Sequence, residues 1–123
     1  MKKILVFALL IITISCNQQK KEPVVTANYQ TFKNEITGKD VQLVDVRTAT
    51  EYQSGFIKDA INMDVLDTEN FKKQIEALDK SKPVYIYCRS GNRSNKASKI
   101  FIEKGFTNIV DFSGGYLNWK KNQ

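Results

Sequence analysis

The sequence predicts an α/β fold, a mostly parallel sheet with helices on both faces. Three observations lead there. Pro83-Val84-Tyr85-Ile86-Tyr87 is rich in β-branched and aromatic residues, as a buried central strand would be. Apolar residues at helical spacing lie on both sides of it, Phe71, Ile75 and Leu78 before and Ala97, Ile100 and Phe101 after. Strand-like and helix-like segments alternate along the chain, the rhythm of β-α-β units.

In chain order, the first segment reads as a leader. Met1-Lys2-Lys3 is a short positive start, and Ile4 to Ile14 is apolar except for Thr13. A bilayer span needs about 20 residues, so this run suits a signal-peptide core better than a transmembrane helix. It ends in Ser15-Cys16, and polar Asn17 to Pro23 follow at once. A cysteine after a small residue at that point resembles a bacterial lipoprotein signal. The resemblance implies cleavage before Cys16, lipidation of Cys16 and export to the cell envelope, anchored to a membrane and facing the periplasm or exterior. Thr13 departs from the aliphatic residue usual three positions before the cysteine. Residues 16–27 are then expected to form a polar tether, with residues 28–123 as the domain. The competing expectations are a plain secretory leader or a disulfide between Cys16 and Cys88.

Val41-Gln42-Leu43-Val44-Asp45-Val46 reads as a strand meeting a polar turn at Arg47-Thr48-Ala49-Thr50. Ala60 to Met63 is a second, short strand. Asn70 to Leu78 is an amphipathic helix, and Val84 to Tyr87 the central strand. The next helix begins near Ser94 and stops at Lys104-Gly105, with glycine in the C-cap role. Ile109 to Phe112 forms a further strand, and Gly114-Gly115 turns into a last short helix carrying Trp119.

Composition limits the chemistry. The formal charge is +6, of which Lys2 and Lys3 supply two, and the remaining lysines are scattered along the chain. No basic stripe interleaved with aromatics is present, so nucleic acid is not an expected partner; small anions are. The chain contains no histidine. A Ser-His-Asp triad, a Cys-His dyad and any histidine-based metal site are therefore excluded, and two cysteines do not build a structural zinc site. No metal or other cofactor is expected.

Ligands of parallel α/β sheets bind beyond the carboxyl ends of the strands. Cys88 stands there, after the central strand, and opens Cys88-Arg89-Ser90-Gly91-Asn92-Arg93-Ser94. A short loop entering a helix can turn its N–H groups inward as an anion-binding nest. Gly91 tolerates the positive φ such a curl needs. The loop donors, the helix dipole and the charges of Arg89 and Arg93 all favour a charged sulfur without help from imidazole. A buried core cysteine is the bland alternative, and the polar run after Cys88 speaks against it.

Cys88 to Ser94 resembles the active-site loop of rhodanese-type sulfurtransferases. Asp45-Val46-Arg47 with Glu51-Tyr52 and Gly55 to Asn62 resembles the family's upstream motif, and Phe112-Ser113-Gly114-Gly115 with Trp119 its closing one. The matches span about residues 27 to 121. Departures are Gly55-Phe56-Ile57, where the family usually reads Gly-His-Ile, and Asp59-Ala60 in place of Gly-Ala. The resemblance implies a rhodanese-like sheet of about five strands in a monomer. It implies that Cys88 is the catalytic nucleophile, taking sulfane sulfur from a small anionic donor such as thiosulfate and passing it to cyanide, a thiol or a protein acceptor. Arg89 and Arg93 would attract the donor, and Ser90, Gly91, Asn92 and Ser94 would supply hydrogen-bond donors. Asp45 and Arg47 are supporting residues, with capping and an Arg47–Glu51 ion pair favoured over direct catalysis. Two rivals remain. A cysteine phosphatase or arsenate reductase needs a longer loop than the four residues between Cys88 and Arg93. A persulfide carrier, redox sensor or partner-binding module would use the same loop without turnover.

Overall fold

A computed structural model describes residues 11–123. The signal-peptide reading rests largely on residues 1–10, which lie outside the described residues. Five strands form one sheet: β1 (Val24–Ala27), β2 (Gln42–Asp45), β3 (Ile61–Asn62), β4 (Val84–Tyr87) and β5 (Ile109–Phe112). Their order is β1-β5-β4-β2-β3 and every pairing is parallel, as the alternating sequence predicts. The helices are α1 (Tyr29–Ile36), α2 (Ala49–Gln53), α3 (Thr68–Ile75), α4 (Asn92–Glu103) and α5 (Gly115–Lys121).

Period-two alternation in the strands creates two cores. On one face Val44, Val84, Ile86 and Ile109 pack against Phe71 and Ile75 of α3 and Ala97, Ile100 and Phe101 of α4. On the other, Leu43, Tyr87, Val110 and Phe112 meet Phe32 and Ile36 of α1 and Trp119 of α5. Helices α3 and α4 thus bury the apolar stripes that their spacing announced. Helix α4 ends at Glu103, with Lys104 as its C-cap and Gly105 at φ +91° after it, the expected C-terminal stop.

Three expectations are corrected. Residues 24–27, assigned to the tether, are strand β1, paired with β5 from Val24↔Ile109 to Ala27↔Phe112. The polar turn after β2 is the start of α2, where Thr48 and Glu51 close a capping box. Helix α4 begins at Asn92 rather than near Ser94, which brings its N-terminus closer to Cys88. Of the departing positions, Asp59 takes φ +70°, a left-handed turn that aspartate tolerates better than most side chains. Phe56 stacks on Tyr52, ring centroids 4.1 Å apart.

Candidate active site

Cys88 follows β4 directly, so the strand aims it at the N-terminus of α4. Its side chain belongs to the α3/α4 core and is 1% exposed. The sulfur accepts a hydrogen bond from the Gly91 N–H at 3.0 Å. The thiol donates to Ser94 Oγ at 3.6 Å, and that hydroxyl donates to the Gly91 carbonyl at 3.1 Å. Gly91 is the N-cap of α4 at φ +105°, a positive φ of the kind glycine tolerates. A Cβ there would also lie 2.6 Å from the Ser113 carbonyl oxygen, so position 91 has neither the torsion nor the room for a side chain.

The loop is held from behind by α5. Tyr116 N–H donates to the Cys88 carbonyl at 2.8 Å and Leu117 N–H to the Arg89 carbonyl at 3.2 Å. Gly115, at φ +63°, makes this approach possible, because a Cβ on it would collide with the carbonyls of Arg89 and Cys88. The closing Gly114-Gly115 motif is thus a clamp on the start of the Cys88 loop.

The two loop arginines have separate environments. Arg93 makes a two-pronged pair with Glu51, Nη1 to Oε2 at 2.6 Å and Nη2 to Oε1 at 2.7 Å. The guanidinium of Arg93, opposed by partial burial and helped by Thr48, holds the Glu51 carboxyl down at about 2. Arg89 is exposed and faces a cleft of about 340 Å³ lined also by Arg47, Thr50, Glu51, Ser54, Tyr116, Leu117 and Lys120, its one carboxylate, Glu51, being paired with Arg93. Arg89 and Lys120 are therefore the cations open to an incoming anion, while Arg93 is neutralised in place. Ser90 and Asn92 are exposed, and Ser94 is buried.

The expected Arg47–Glu51 pair does not form. Arg47 is buried against Asp45, with Nη2 at 2.6 Å from Oδ2 and Nε at 3.0 Å from both carboxylate oxygens. The same Nη2 donates to the Gly55 carbonyl at 2.7 Å, and the guanidinium lies 4.2 Å from the Tyr116 ring centroid. Asn62 Nδ2 bridges the carbonyls of Asp45 and Arg47. These contacts tie β2 to β3, to the loop after α2 and to α5, so Asp45 and Arg47 frame the site.

Sequence reasoning missed two residues. Glu51 was placed in the upstream motif but given the wrong partner; its role needs the 42-residue separation from Arg93 to close in space. Asp111 was read only as part of a strand. It points to the same sheet face as Ile86 and Cys88, 7% exposed, and its Oδ1 has no hydrogen-bond partner among the described residues. Burial pushes its carboxyl up, and the Ser94 hydroxyl pulls it partly back. An odd polar residue within a four-residue strand that is otherwise apolar was the available signal. Cys16 is exposed and Cys88 buried, and both are free thiols.

Known proteins agree with this architecture. The chain is 39% identical over 87 residues to a tRNA uridine(34) hydroxylase of Pelagibacter ubique, covering 71% of this chain and 29% of that protein. It therefore spans less than a third of that relative. It is 33% identical over 84 residues to a sulfurtransferase of Allochromatium vinosum, covering 68% of this chain and 76% of the relative. The crystal structure of a rhodanese-like domain protein from Staphylococcus aureus superposes with a TM-score of 0.67 at 28% identity, over 76% of this chain and 89% of the other. The model of the rhodanese-like domain matches residues 28–122, and the chain belongs to that family.

Proposed function

We propose that this chain is a sulfurtransferase that carries sulfane sulfur on Cys88. The observation that carries the reading is a sulfur set against the Gly91 N–H at 3.0 Å and the N-terminus of α4, within a loop entered by Arg89, which makes no ion pair among the described residues. The Cys88 thiolate attacks the outer sulfur of thiosulfate. A Cys88–sulfur bond forms, the donor's sulfur–sulfur bond breaks, and sulfite leaves with the electron pair. A thiolate or cyanide then attacks the terminal sulfur of the Cys88 persulfide and releases the Cys88 thiolate. Negative charge stays on sulfur throughout, so the Gly91 N–H, fixed at 3.0 Å from it, favours each state from one position. Arg89 and Lys120 draw the anionic donor into the cleft; Arg93, held by Glu51, fixes the first turn of α4; Ser90, Asn92 and Ser94 complete the polar wall.

The likeness to the tRNA uridine(34) hydroxylases covers under a third of their length and supports a shared domain, not a shared reaction. A carrier, sensor or docking module without turnover is the alternative. Intact mass spectrometry of the protein before and after thiosulfate tests both. One added sulfur atom that disappears with cyanide and never forms in Cys88→Ala is the expected result. Sulfur that is gained but not released to any thiol or cyanide would favour the carrier; no gain in a folded chain would remove thiosulfate as donor.

Cys16 is proposed to be the lipidated residue anchoring the chain in the cell envelope. The reading is supported by the apolar run before it and by its exposure, eight residues ahead of β1. Among the described residues no helix is long and apolar enough to cross a membrane. Radiolabelled palmitate should enter the wild-type chain expressed in a bacterial host and be absent from Cys16→Ser.

A further inference from the structure

The cleft beside the Cys88 loop is larger than thiosulfate needs. It encloses about 340 Å³ between α2 and α5, the volume of on the order of ten water molecules at roughly 30 Å³ each. Its lining includes Arg89 but not Cys88. Tyr116 and Leu117, two further lining residues, hold the carbonyls of Cys88 and Arg89 at 2.8 and 3.2 Å. Successive α-carbons are ~3.8 Å apart, so a molecule seated against Arg89 has the sulfur-bearing residue one short arm away.

Most polar groups of the cleft are already satisfied, which isolates those that are not. Glu51 is paired with Arg93, and Ser54 Oγ donates to the Thr50 carbonyl at 3.2 Å. Arg89 and Lys120 make no ion pair among the described residues. Arg47 is only 3% exposed, and its Nε and Nη2 are used on Asp45 and the Gly55 carbonyl. Its Nη1 makes no hydrogen bond among the described residues. A guanidinium nitrogen without an acceptor, on a buried side chain that lines a cleft, is a donor for whatever enters. The Tyr116 ring joins these cations: Arg47 lies 4.2 Å and Lys120 Nζ 5.8 Å from its centroid. Leu117, 46% exposed, adds an apolar wall.

We propose that this cleft docks the sulfur acceptor, a small thiol carrying two carboxylates, and that Lys120, Arg89 and Arg47 Nη1 set that preference. The inference rests on Cys88 carrying sulfane sulfur, as proposed above. Carboxylate is the matching group, since its two oxygens accept from a planar guanidinium and from an ammonium alike. Two cations without ion pairs suit two carboxylates, and Leu117 covers the carbon skeleton that links them. A neutral alkyl thiol leaves all three donors unmet. A bounded cleft of this volume takes a small molecule rather than an extended protein segment. Thiosulfate uses the same cations first and leaves as sulfite, so one cleft serves donor and acceptor in turn. The acceptor thiolate then attacks the terminal sulfur of the Cys88 persulfide. A sulfur–sulfur bond to the acceptor forms, the bond to Cys88 breaks, and Cys88 departs as thiolate with the electron pair. The carboxylates stay outside this exchange; they hold the attacking sulfur in reach.

The test discharges the thiosulfate-loaded full chain with mercaptosuccinate, which has two carboxylates, mercaptoacetate, which has one, and mercaptoethanol, which has none. Concentrations are expressed as thiolate, so that differences in thiol ionisation do not enter. KM is expected to fall about threefold with each carboxylate, the worth of one exposed charge contact. Lys120→Ala should narrow the spread between mercaptosuccinate and mercaptoethanol by about threefold, and Lys120→Arg should restore it. Lys73→Ala removes the same charge from α3 and should leave the spread as it is. Equal KM values for the three thiols, or a spread narrowed as much by Lys73→Ala as by Lys120→Ala, overturn the proposal. Succinate, with both carboxylates and no thiol, separates docking from sulfur transfer. In an NMR titration of the unloaded chain the amide shifts of Arg89, Tyr116 and Leu117 should saturate, and Lys120→Ala should abolish them. Shifts that do not saturate, or that scatter over lysines elsewhere, overturn the docking site. If thiosulfate loads no sulfur, the function proposed above fails and the succinate titration still decides the cleft. If sulfur loads and leaves with no regard to carboxylates, that function stands and this inference falls.

Discussion

The Glu51 carboxylate, pinned by Arg93, changes what the charge on the loop does. Sequence gives two arginines in reach of a sulfur; the fold commits one of them to a carboxylate on α2 and leaves Arg89 facing the cleft. The pair has a pH signature. The folded Glu51 carboxyl titrates at about 2 against 4.5 in the unfolded chain. Its contribution is therefore complete above about pH 5 and is lost as pH falls through about 2. With side chains 22% and 28% exposed, the discounted worth is on the order of 2 kcal/mol. Glu51→Gln should lower stability by about that amount at pH 7, and the gap to wild type should close toward pH 2; urea denaturation across that range measures it. Asp45 is more costly to disturb. Asp45→Asn leaves the buried Arg47 guanidinium without its counter-charge, and a loss of about 3–5 kcal/mol is expected in the same assay.

At the scale of elements, the site is an agreement between β4, α4 and α5. Two of these were legible. The apolar run of β4 and the small polar residues after it place Cys88 at a strand end, and the spacing of Ala97, Ile100 and Phe101 gives α4 its buried face. The reason for Gly114-Gly115 was not, because it lies in contacts between α5 and the carbonyls of Cys88 and Arg89, more than 25 residues away in sequence. Likewise the Arg47 partner was misassigned, since helical spacing suggested Glu51 while the capping box turns that carboxylate toward Thr48 and Arg93. The clamp can be tested through its hinge. Gly115→Ala adds a Cβ at φ +63° against the Arg89 carbonyl, combining backbone strain with a collision. A loss of about 2–3 kcal/mol is expected from that combination. Persulfide formation should slow as well, because the displaced helix no longer fixes the Cys88 carbonyl; stopped-flow with thiosulfate reads the rate under conditions where the variant is folded.

For the whole molecule, the order β1-β5-β4-β2-β3 puts the strand that leads to Cys88 at the centre and leaves the first and third strands at the edges. The centre of such a sheet is easy to read, since both faces of β4 and β5 must be apolar apart from Asp111. An edge strand is not. Val24-Val25-Thr26-Ala27 is β-branched as a strand is, but Val25 and Thr26 are exposed and only Ala27 is fully buried, so four residues next to a polar stretch give no burial pattern to read, and the strand is completed by the β5 edge it pairs with. Two truncations separate these views of residues 16–27. A chain starting at Lys21 keeps β1 and the hydrogen bond from Ile109 N–H to the Pro23 carbonyl at 2.8 Å, and its melting temperature should equal that of a chain starting at Asn17. A chain starting at Asn28 uncovers the backbone edge of β5 and the apolar surface that Val24 and Ala27 cover, a loss of about 2 kcal/mol. For a domain of this size that corresponds to a fall of roughly 10 °C, read by circular dichroism. Equal melting temperatures for all three chains would return residues 24–27 to the tether; a fall confined to the shortest makes the sheet, and not the tether, the place where the folded domain begins.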